Sequence, residues 1–237
     1  METKTLVLIG LIAAILIVAG VYMGIGKATV SQQGYANEEV MPDTVAVYFN
    51  VQVINESAEI AKNKMSEIVV NLEDSLTDVV DEDEIQTSGL NVYPNYDWSD
   101  GNQKITGYTA SQQITVKTDK IDKTGKIVDK GVNAGALVNG INFELSAAKE
   151  SEVKARVLEI AAKDAKTKAE ALARGSGKRI GGLVSISSQD FNYYPYRYFE
   201  AGGDMVASNA KAQEAAVNIN PQKLEVSANV QVVYRIW

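Results

Sequence analysis

Hydrophobic and polar residues alternate along several segments of the chain, a pattern typical of half-buried β-strands. In the first, apolar residues occupy every second position from Val45 to Val53, and this period of two predicts a strand with one face in the core. The segments "EIQTSGLNVYPNYDW" and "KITGYTASQQITVKT" predict two further strands, joined by a turn at "SDGN". Three more strands are predicted from the segments "INFELS", "GGLVSISSQD" and "KLEVSANVQVVYRIW".

Other segments repeat their apolar residues at helical spacing. The segment "SAEIAKNKMSEIVVNLEDSL" predicts a helix with Ser57 as its N-cap. A short helix follows, with Asp122 as its predicted cap and Gly135 near its end. The longest helix is predicted from about Lys149 to Arg174, and its apolar stripe is mostly alanine, so its axis should lie close to the surface that it covers. That stripe consists of Val153, Val157, Ile160, Ala161, Ala165, Ala169 and Leu172.

The order of these elements predicts the fold class. A strand, a helix and two strands (45–118) are followed, after the short helix, by a strand, a long helix and two strands (141–237). We therefore predict an α+β fold made of two β-α-β-β repeats, whose strands form antiparallel sheet with the helices packed on one face.

The N-terminal segment is long, apolar and uncharged. Residues 5–26, "TLVLIGLIAAILIVAGVYMGIG", would form a helix of about 33 Å, and a hydrocarbon core is about 30 Å thick. The apolar region of a cleaved secretory signal is shorter, about 7–15 residues. We therefore predict an uncleaved transmembrane signal-anchor, and a cleaved signal that leaves a secreted protein is the alternative.

This segment sets the predicted domain organisation. Residues 1–4 form a short inside stub, residues 27–41 a polar linker, and residues 42–237 the extracytoplasmic domain. The large part is expected to cross the membrane because only a stub of a few residues precedes the span.

The amino-acid composition argues against several classes of function. The chain has no histidine and no cysteine, which removes His-based acid–base catalysis, Cys nucleophiles and thiolate metal sites. The net charge of −7 repels phosphate backbones, so no nucleic-acid partner is expected. We predict that the protein is not an enzyme and has no catalytic, cofactor-binding or metal-binding residue.

The glycine-rich segment "GSGKRIGG" has the wrong spacing for a nucleotide loop. A phosphate-binding loop needs Gly where Leu172 stands and Ser or Thr where Arg179 stands. A dinucleotide fingerprint would need Gly at Ile180 and a strand before the motif. The segment is therefore interpreted as the end of a helix that leads into a strand.

Several of these segments resemble the SIMPL-domain family. The similarity is carried by "VMPDTVAVYFNVQV", "GYTASQQITVKTDKIDKTGKIVDKGVNAGA", "INFELS" and above all "KARVLEIAAKDAKTKAEALARGSGKRIGGLVSISS", and it extends from residue 40 to nearly the end. The resemblance implies a secreted or membrane-tethered α+β domain of unknown function that forms homo-oligomers, ring- or channel-like in some relatives. It implies no catalytic residue. The chain departs from the family in its retained anchor and in a Tyr-rich segment where many relatives have Pro, Met and Ala.

That Tyr-rich segment, "QDFNYYPYRYFEAGGDMV", is predicted to be a long loop before the last strand. Tyr and Arg are enriched at interface hot spots, so we predict that this loop contacts a neighbouring subunit, and a mobile surface loop is the alternative. The candidate interface residues are Tyr193, Tyr194, Tyr196, Arg197, Tyr198 and Phe199.

Two functions from different classes follow. The first is a membrane-anchored, self-assembling protein that supports envelope or oxidative-stress functions, with the membrane and its own copies as partners. The second is an extracytoplasmic receptor or enzyme that binds a ligand, for example a glycan stacked on the aromatic residues at 191–199. No small-molecule ligand is identified by the sequence.

Overall fold

The computed structural model describes residues 28–99, 103–201, 205–217 and 220–237. These residues form an α+β fold with antiparallel sheets. The elements are β1 (Thr29–Val40), β2 (Thr44–Asn55), α1 (Ala58–Leu76), β3 (Ile85–Asp97), β4 (Lys104–Thr118), α2 (Thr124–Asn133), β5 (Leu137–Glu144), α3 (Ala147–Gly175), β6 (Ile180–Tyr193), β7 (Tyr196–Glu200), α4 (Met205–Val217) and β8 (Leu224–Ile236).

The predicted transmembrane segment, residues 5–26, lies outside the described residues. None of the helices in the described ranges combines the length and the hydrophobicity that a bilayer-spanning helix requires.

The chain divides into two compact units, and the divisions fall within β1, α3, β6 and β8. Unit 1 contains the described part of Met1–Ala36 together with Arg156–Phe191 and Ser227–Trp237. Unit 2 contains Asn37–Ala155 and Asn192–Val226.

Unit 2 is built around a five-stranded antiparallel sheet with the order β3-β4-β2-β5-β7. The central strand β2 pairs with β4 from Val45 to Asn55 and with β5 from Thr44 to Asn50. Its alternation is the one that the sequence predicts, and Val45, Val47, Phe49 and Val51 are all buried. The face that they form is therefore the core face of the sheet.

Helices α1, α2 and α4 contribute the other side of this core. Ser57 caps α1 as predicted, because its side chain accepts a hydrogen bond from the Ile60 amide. The ring of Phe49 lies where Gly131 of α2 would carry a Cβ atom, so this position has no room for any side chain. The largest buried helix residues of the core are Met65, Leu72, Leu76 and Ile127.

The start of α2 differs from the prediction, whereas its end agrees. The helix begins at Thr124 after a short 3-10 turn, Ile121–Lys123, and no side chain caps it, so Asp122 is not the cap. Gly135 ends the helix with a φ of +92°, a conformation that favours glycine. Lys120, just before the turn, binds the carboxylates of Asp81 at 2.6 Å and Glu84 at 3.1 Å.

Unit 1 contains a three-stranded sheet with the order β1-β8-β6 and the part of α3 from Arg156 onward. The alanine stripe of α3 is buried as predicted, at positions four residues apart. Ile160 and Leu172, which were predicted on the same face, are about half exposed because each lies one residue, about 100°, away from that line. The stripe in this unit consists of Val157, Ala161, Ala165, Ala169 and Ala173.

Helix α3 approaches strand β1 closely. A Cβ atom on Gly34 would overlap the carbonyl oxygen of Ala161 and lie 2.8 Å from the Cβ of Ala165. On the same strand, the Tyr35 amide donates to the Asp164 carboxylate at 3.0 Å, and Lys168 Nζ donates to the Gln33 carbonyl at 3.4 Å. Side chains of α3 therefore satisfy backbone groups along β1.

Three predictions made from the sequence are wrong. Residues 29–40 form strand β1 and not a linker. The aromatic segment is not a long loop, because it contains strand β7 and leads into helix α4. The second half of the chain does not repeat the first, since β3 and β4 join the sheet of β2 whereas β6 and β8 belong to a different sheet from β5.

We expect Gly34→Ala to destabilise unit 1 by about 1–3 kcal/mol, because the added methyl group overlaps helix backbone that must move to accommodate it. Denaturant unfolding followed by circular dichroism measures the change. Gly175→Ala is the matched control, since a Cβ there meets no atom within 4 Å, and its stability should be unchanged or slightly raised. Equal stabilities for the two variants would contradict the close approach of α3 and β1.

We also expect Asp164→Asn to lower stability by less than about 1 kcal/mol at neutral pH. The hydrogen bond from Lys168 and that from the Tyr35 amide hold the pKa of Asp164 below its ordinary value of 3.8. The ionised carboxylate therefore stabilises the fold above about pH 4, and this contribution disappears as the pH falls through the lowered pKa. Unfolding curves at pH 7, 4 and 2 should show the difference between the variant and the parent shrinking, and a constant difference would contradict this role.

Candidate functional site

Strand β7, which lies in the aromatic segment, forms an edge of the five-stranded sheet. Strand β7 pairs with β5 so that Tyr196 lies opposite Phe143 and Phe199 opposite Ile141. The register shifts between these pairs, so Tyr198 is an extra residue at a β-bulge. Aromatic residues on both sides of the bulge hide the alternation from which a strand would be predicted.

Half of the predicted interface residues pack against the core of their own chain. Tyr196, Tyr198 and Phe199 are partly buried against it. The ring of Phe143 stacks on Tyr196 at 6.5 Å between centroids and meets the edge of Tyr198 at 5.5 Å. The Tyr198 hydroxyl also donates to the Ala215 carbonyl at 3.0 Å. These three side chains hold β7 and α4 in place.

Tyr193 takes part in a polar cluster at the start of α3. The Leu145 amide donates to the Tyr193 hydroxyl at 2.6 Å. Burial raises the pKa of this hydroxyl, and nearby carboxylates such as Glu144 raise it further, so Tyr193 stays protonated at neutral pH. The amide and the hydroxyl of Ser146 both donate to the Asp43 carboxylate at 2.7 Å. The cluster fixes the point where the chain leaves β5 and enters α3.

Tyr194 and Arg197 are the exposed members of the predicted set. The side chain of Tyr194 is 76% exposed. Arg197 forms an ion pair with Glu200, with 3.3 Å between Nη1 and Oε2, and both side chains are 70% exposed. The prediction that the six residues contact a neighbouring subunit stays a prediction, and these two are the ones whose side chains are most available for it.

A shallow cavity of about 220 Å³ lies beside Arg197 on the sheet face opposite the core. Its lining is polar and aromatic, and none of these residues except Arg197 and Phe199 was predicted from the sequence. The lining residues from β2 and β5 occupy outward positions of strands whose inward positions carry the apolar signal. The cavity is lined by Tyr48, Asn139, Gly140, Asn142, Arg197, Phe199 and Glu200.

The charges next to this cavity are paired. The Tyr48 hydroxyl donates to Glu144 Oε1 at 3.4 Å, and Lys117 Nζ donates to Glu144 Oε2 at 2.8 Å. Burial raises the pKa of Tyr48, and the Glu144 carboxylate adds to the effect. Because its neighbouring carboxylates face a lysine or an arginine, the cavity offers hydrogen-bond donors and acceptors suited to an uncharged polar group.

A second and larger cavity, of about 660 Å³, lies between α2 and α4. Gln213 Nε2 donates to Asp129 Oδ1 at 3.2 Å across it, and a Cβ atom on Gly125 would approach the Ala216 carbonyl to 2.9 Å. Sequence reasoning missed this cavity because α4 was predicted to be a loop. Its lining consists of Ile121, Asp122, Gly125, Lys126, Asp129, Gln213 and Ala216.

We expect Tyr198→Ala to cost about 2–3 kcal/mol, because it removes a partly buried ring together with its hydrogen bond to α4. The matched control Tyr194→Ala should change stability by less than about 0.5 kcal/mol. Guanidinium unfolding of the two purified variants measures both. A Tyr198→Ala variant as stable as its control would show that the segment does not belong to the core.

Comparison with known proteins finds a family match over most of the chain. The model of the SIMPL family, described as a protein of unknown function (DUF541), matches residues 30–234. The chain is 26% identical over 234 residues to "Uncharacterized protein YggE" of Edwardsiella ictaluri, covering 95% of the chain and 96% of that relative. It is also 26% identical over 194 residues to YggE of Escherichia coli K12, covering 80% and 78%.

A third relative carries a name that states a location. The chain is 27% identical over 219 residues to the "26 kDa periplasmic immunogenic protein" of Brucella melitensis biotype 1, covering 88% of the chain and 85% of that relative.

Proposed function

Because the chain belongs to the SIMPL family, we propose that it is a non-enzymatic, membrane-anchored extracytoplasmic protein that assembles with copies of itself and supports envelope or oxidative-stress functions. One observation carries the assembly. Large apolar side chains lie exposed on two strands, each of which is at the edge of its sheet within the described residues, whereas a soluble monomer normally exposes few such side chains together. They are Leu90, Val92, Tyr93 and Tyr96 of β3 and Leu183, Val184 and Ile186 of β6.

The location is supported by two independent facts. A relative aligned over most of the chain is named a periplasmic protein. The uncharged segment at residues 5–26 is long enough to span a bilayer as a helix. Together they favour a tethered protein whose large part lies outside the cytoplasm.

The non-enzymatic character is supported by composition and by the geometry of the sheet face. Without histidine or cysteine, a catalytic base would have to be a carboxylate, a lysine or a tyrosine. Glu144, the carboxylate beside the smaller cavity, is bound by Lys117 and by Tyr48. The pKa of Tyr48 is raised, which works against a role as a base at neutral pH. The envelope role is supported by the relative whose name states a periplasmic location.

The oligomeric state tests this proposal. The full chain, extracted in detergent, should have a mass several times its monomer mass of 25.6 kDa by light scattering after correction for the detergent. A strict monomer at working concentration would overturn the proposal.

The predicted contact of the aromatic segment has its own test. Tyr194→Ser combined with Arg197→Ser should reduce the oligomer fraction, because both exposed side chains are removed without loss of core. Val70→Ser, at an exposed position of α1, is the control. An unchanged oligomer in the double variant would contradict this contact but would leave self-assembly standing.

The second candidate function, binding of a polar ligand such as a glycan, is favoured by the cavity beside Arg197 and its aromatic neighbours. Thermal-shift screening with glycans and metabolites separates the two candidates, because a ligand that binds only the folded state raises the melting temperature. A specific shift that is lost in Asn142→Ala would favour the receptor. No shift across the panel would leave the assembly proposal as the better one.

A further inference from the structure

Strand β6 is an edge that nothing in its own sheet covers. Within the described residues β6 pairs only with β8, so its other side has no neighbouring strand. Every residue from Gly182 to Ser188 is exposed. Val184 is 50% exposed and Ile186 is 55% exposed, although alternation would normally bury one face of such a strand.

The other three sheet edges each carry a device that opposes pairing with another strand. Edge β1 has backbone groups bound by Asp164 and Lys168 of α3. Edge β3 is bulged at Gly89, which has a φ of +66°, and it contains Pro94. Edge β7 has only five residues, among them the charged pair Arg197 and Glu200.

Strand β6 has none of these protections between Ile180 and Ser188. The sequence there, "IGGLVSISS", contains no charge and no proline, and it has no bulge-forming glycine with positive φ. β-Branched and aliphatic residues on an unpaired edge favour addition of a strand. Strand β6 is therefore the unprotected edge, and we expect it to be the edge that pairs with another strand in the assembly.

The strand is complementary to itself in the antiparallel direction. If Ser185 lies opposite Ser185 of a second copy, Val184 of each copy lies opposite Ile186 of the other. Both of these pairs are on the same face of the sheet. A shift by two residues would leave only one apolar pair, either Val184 with Val184 or Ile186 with Ile186. It would also place Ile186 opposite Gly182 in the first case and Val184 opposite Ser188 in the second. Apolar cross-strand pairs stabilise a sheet, so the register centred on Ser185 is the preferred one.

The flanking charges select the same direction. Lys178 and Arg179 precede the strand. An antiparallel copy keeps the two basic ends apart, at opposite ends of the paired strands. A parallel copy would place like charges together, which is unfavourable.

We propose that β6 pairs antiparallel with β6 of a second copy of this chain about a two-fold axis at Ser185, which joins the two three-stranded sheets into one six-stranded sheet. This inference rests on the self-assembly proposed above and names one interface of the assembly. The interface is isologous, so it joins copies in pairs, and any larger oligomer needs a further contact.

A cysteine cross-link tests the register, because the chain contains no cysteine of its own. Residues directly opposite in an antiparallel pair have Cα atoms about 4.5–5.5 Å apart, within the reach of a disulfide. Under mild oxidation of the full chain in detergent, Ser185→Cys should give a reducible dimer. Ser187→Cys is the matched control, since its counterpart would lie about 13 Å away along the strand.

The expected yield of linked dimer is at least about tenfold higher for Ser185→Cys than for Ser187→Cys. Equal yields, or a higher yield for Ser187→Cys, would overturn the proposed register. If the parent protein is oligomeric and Ser185→Cys gives no cross-linked dimer, the β6 interface is overturned and self-assembly is left intact. A monomeric parent protein would instead overturn self-assembly itself.

A second variant tests the interface without oxidation. Val184→Lys combined with Ile186→Lys brings four positive charges together across the two-fold axis, so the mass should fall by at least half in dilute salt. Ile54→Lys, at another exposed strand position, should keep the parent mass. Circular dichroism confirms that each variant is folded. If another segment or a different protein covers β6, the double variant keeps the mass of the parent, and the inference is overturned.

Discussion

The position of β2 at the centre of the five-stranded sheet is the constraint on which unit 2 depends. One face of the strand carries the apolar residues that meet α1 and α2, and Phe49 occupies the space that Gly131 leaves open. The other face carries Tyr48, which lines the smaller cavity. Just before the strand, Asp43 binds Ser146 at the start of α3. Strand β2 and the residue before it therefore contact the core, the polar face and the beginning of the longest helix.

The sequence predicts the elements whose periodicity is strong, and it fails where periodicity is weak. The sequence predicts strand β2 and helix α1 because their apolar residues recur at strand and at helical spacing. Strand β1, "TVSQQGYANEEV", has few apolar residues, and its backbone groups are satisfied by side chains of α3 that are distant in sequence. The predicted repeat failed because the order of elements does not show which sheet a strand joins. That choice is made by long-range pairing.

The sequence identifies aromatic residues of the candidate site but not how their side chains are arranged. Tyrosine is equally suited to a core, an edge and an interface, since it has an apolar ring and a polar tip. The packing in the structure shows that Tyr198 lies against the core whereas Tyr194 is exposed to solvent. The outward residues of β2 and β5 gave no sequence signal, because polar residues at alternate positions are what any solvated sheet face would show.

The place of β8 in its sheet has a consequence for the order of folding. This last strand lies between β1 and β6, and its end reaches the first described residues through a hydrogen bond of 2.8 Å from the Ile236 amide to the Ala28 carbonyl. Pairing between segments so far apart in the sequence raises the contact order, which slows folding. Until the final residues are synthesised, β1 and β6 have no strand between them. The five-stranded sheet has the more local pairings, so it is the half of the molecule that a growing chain completes first.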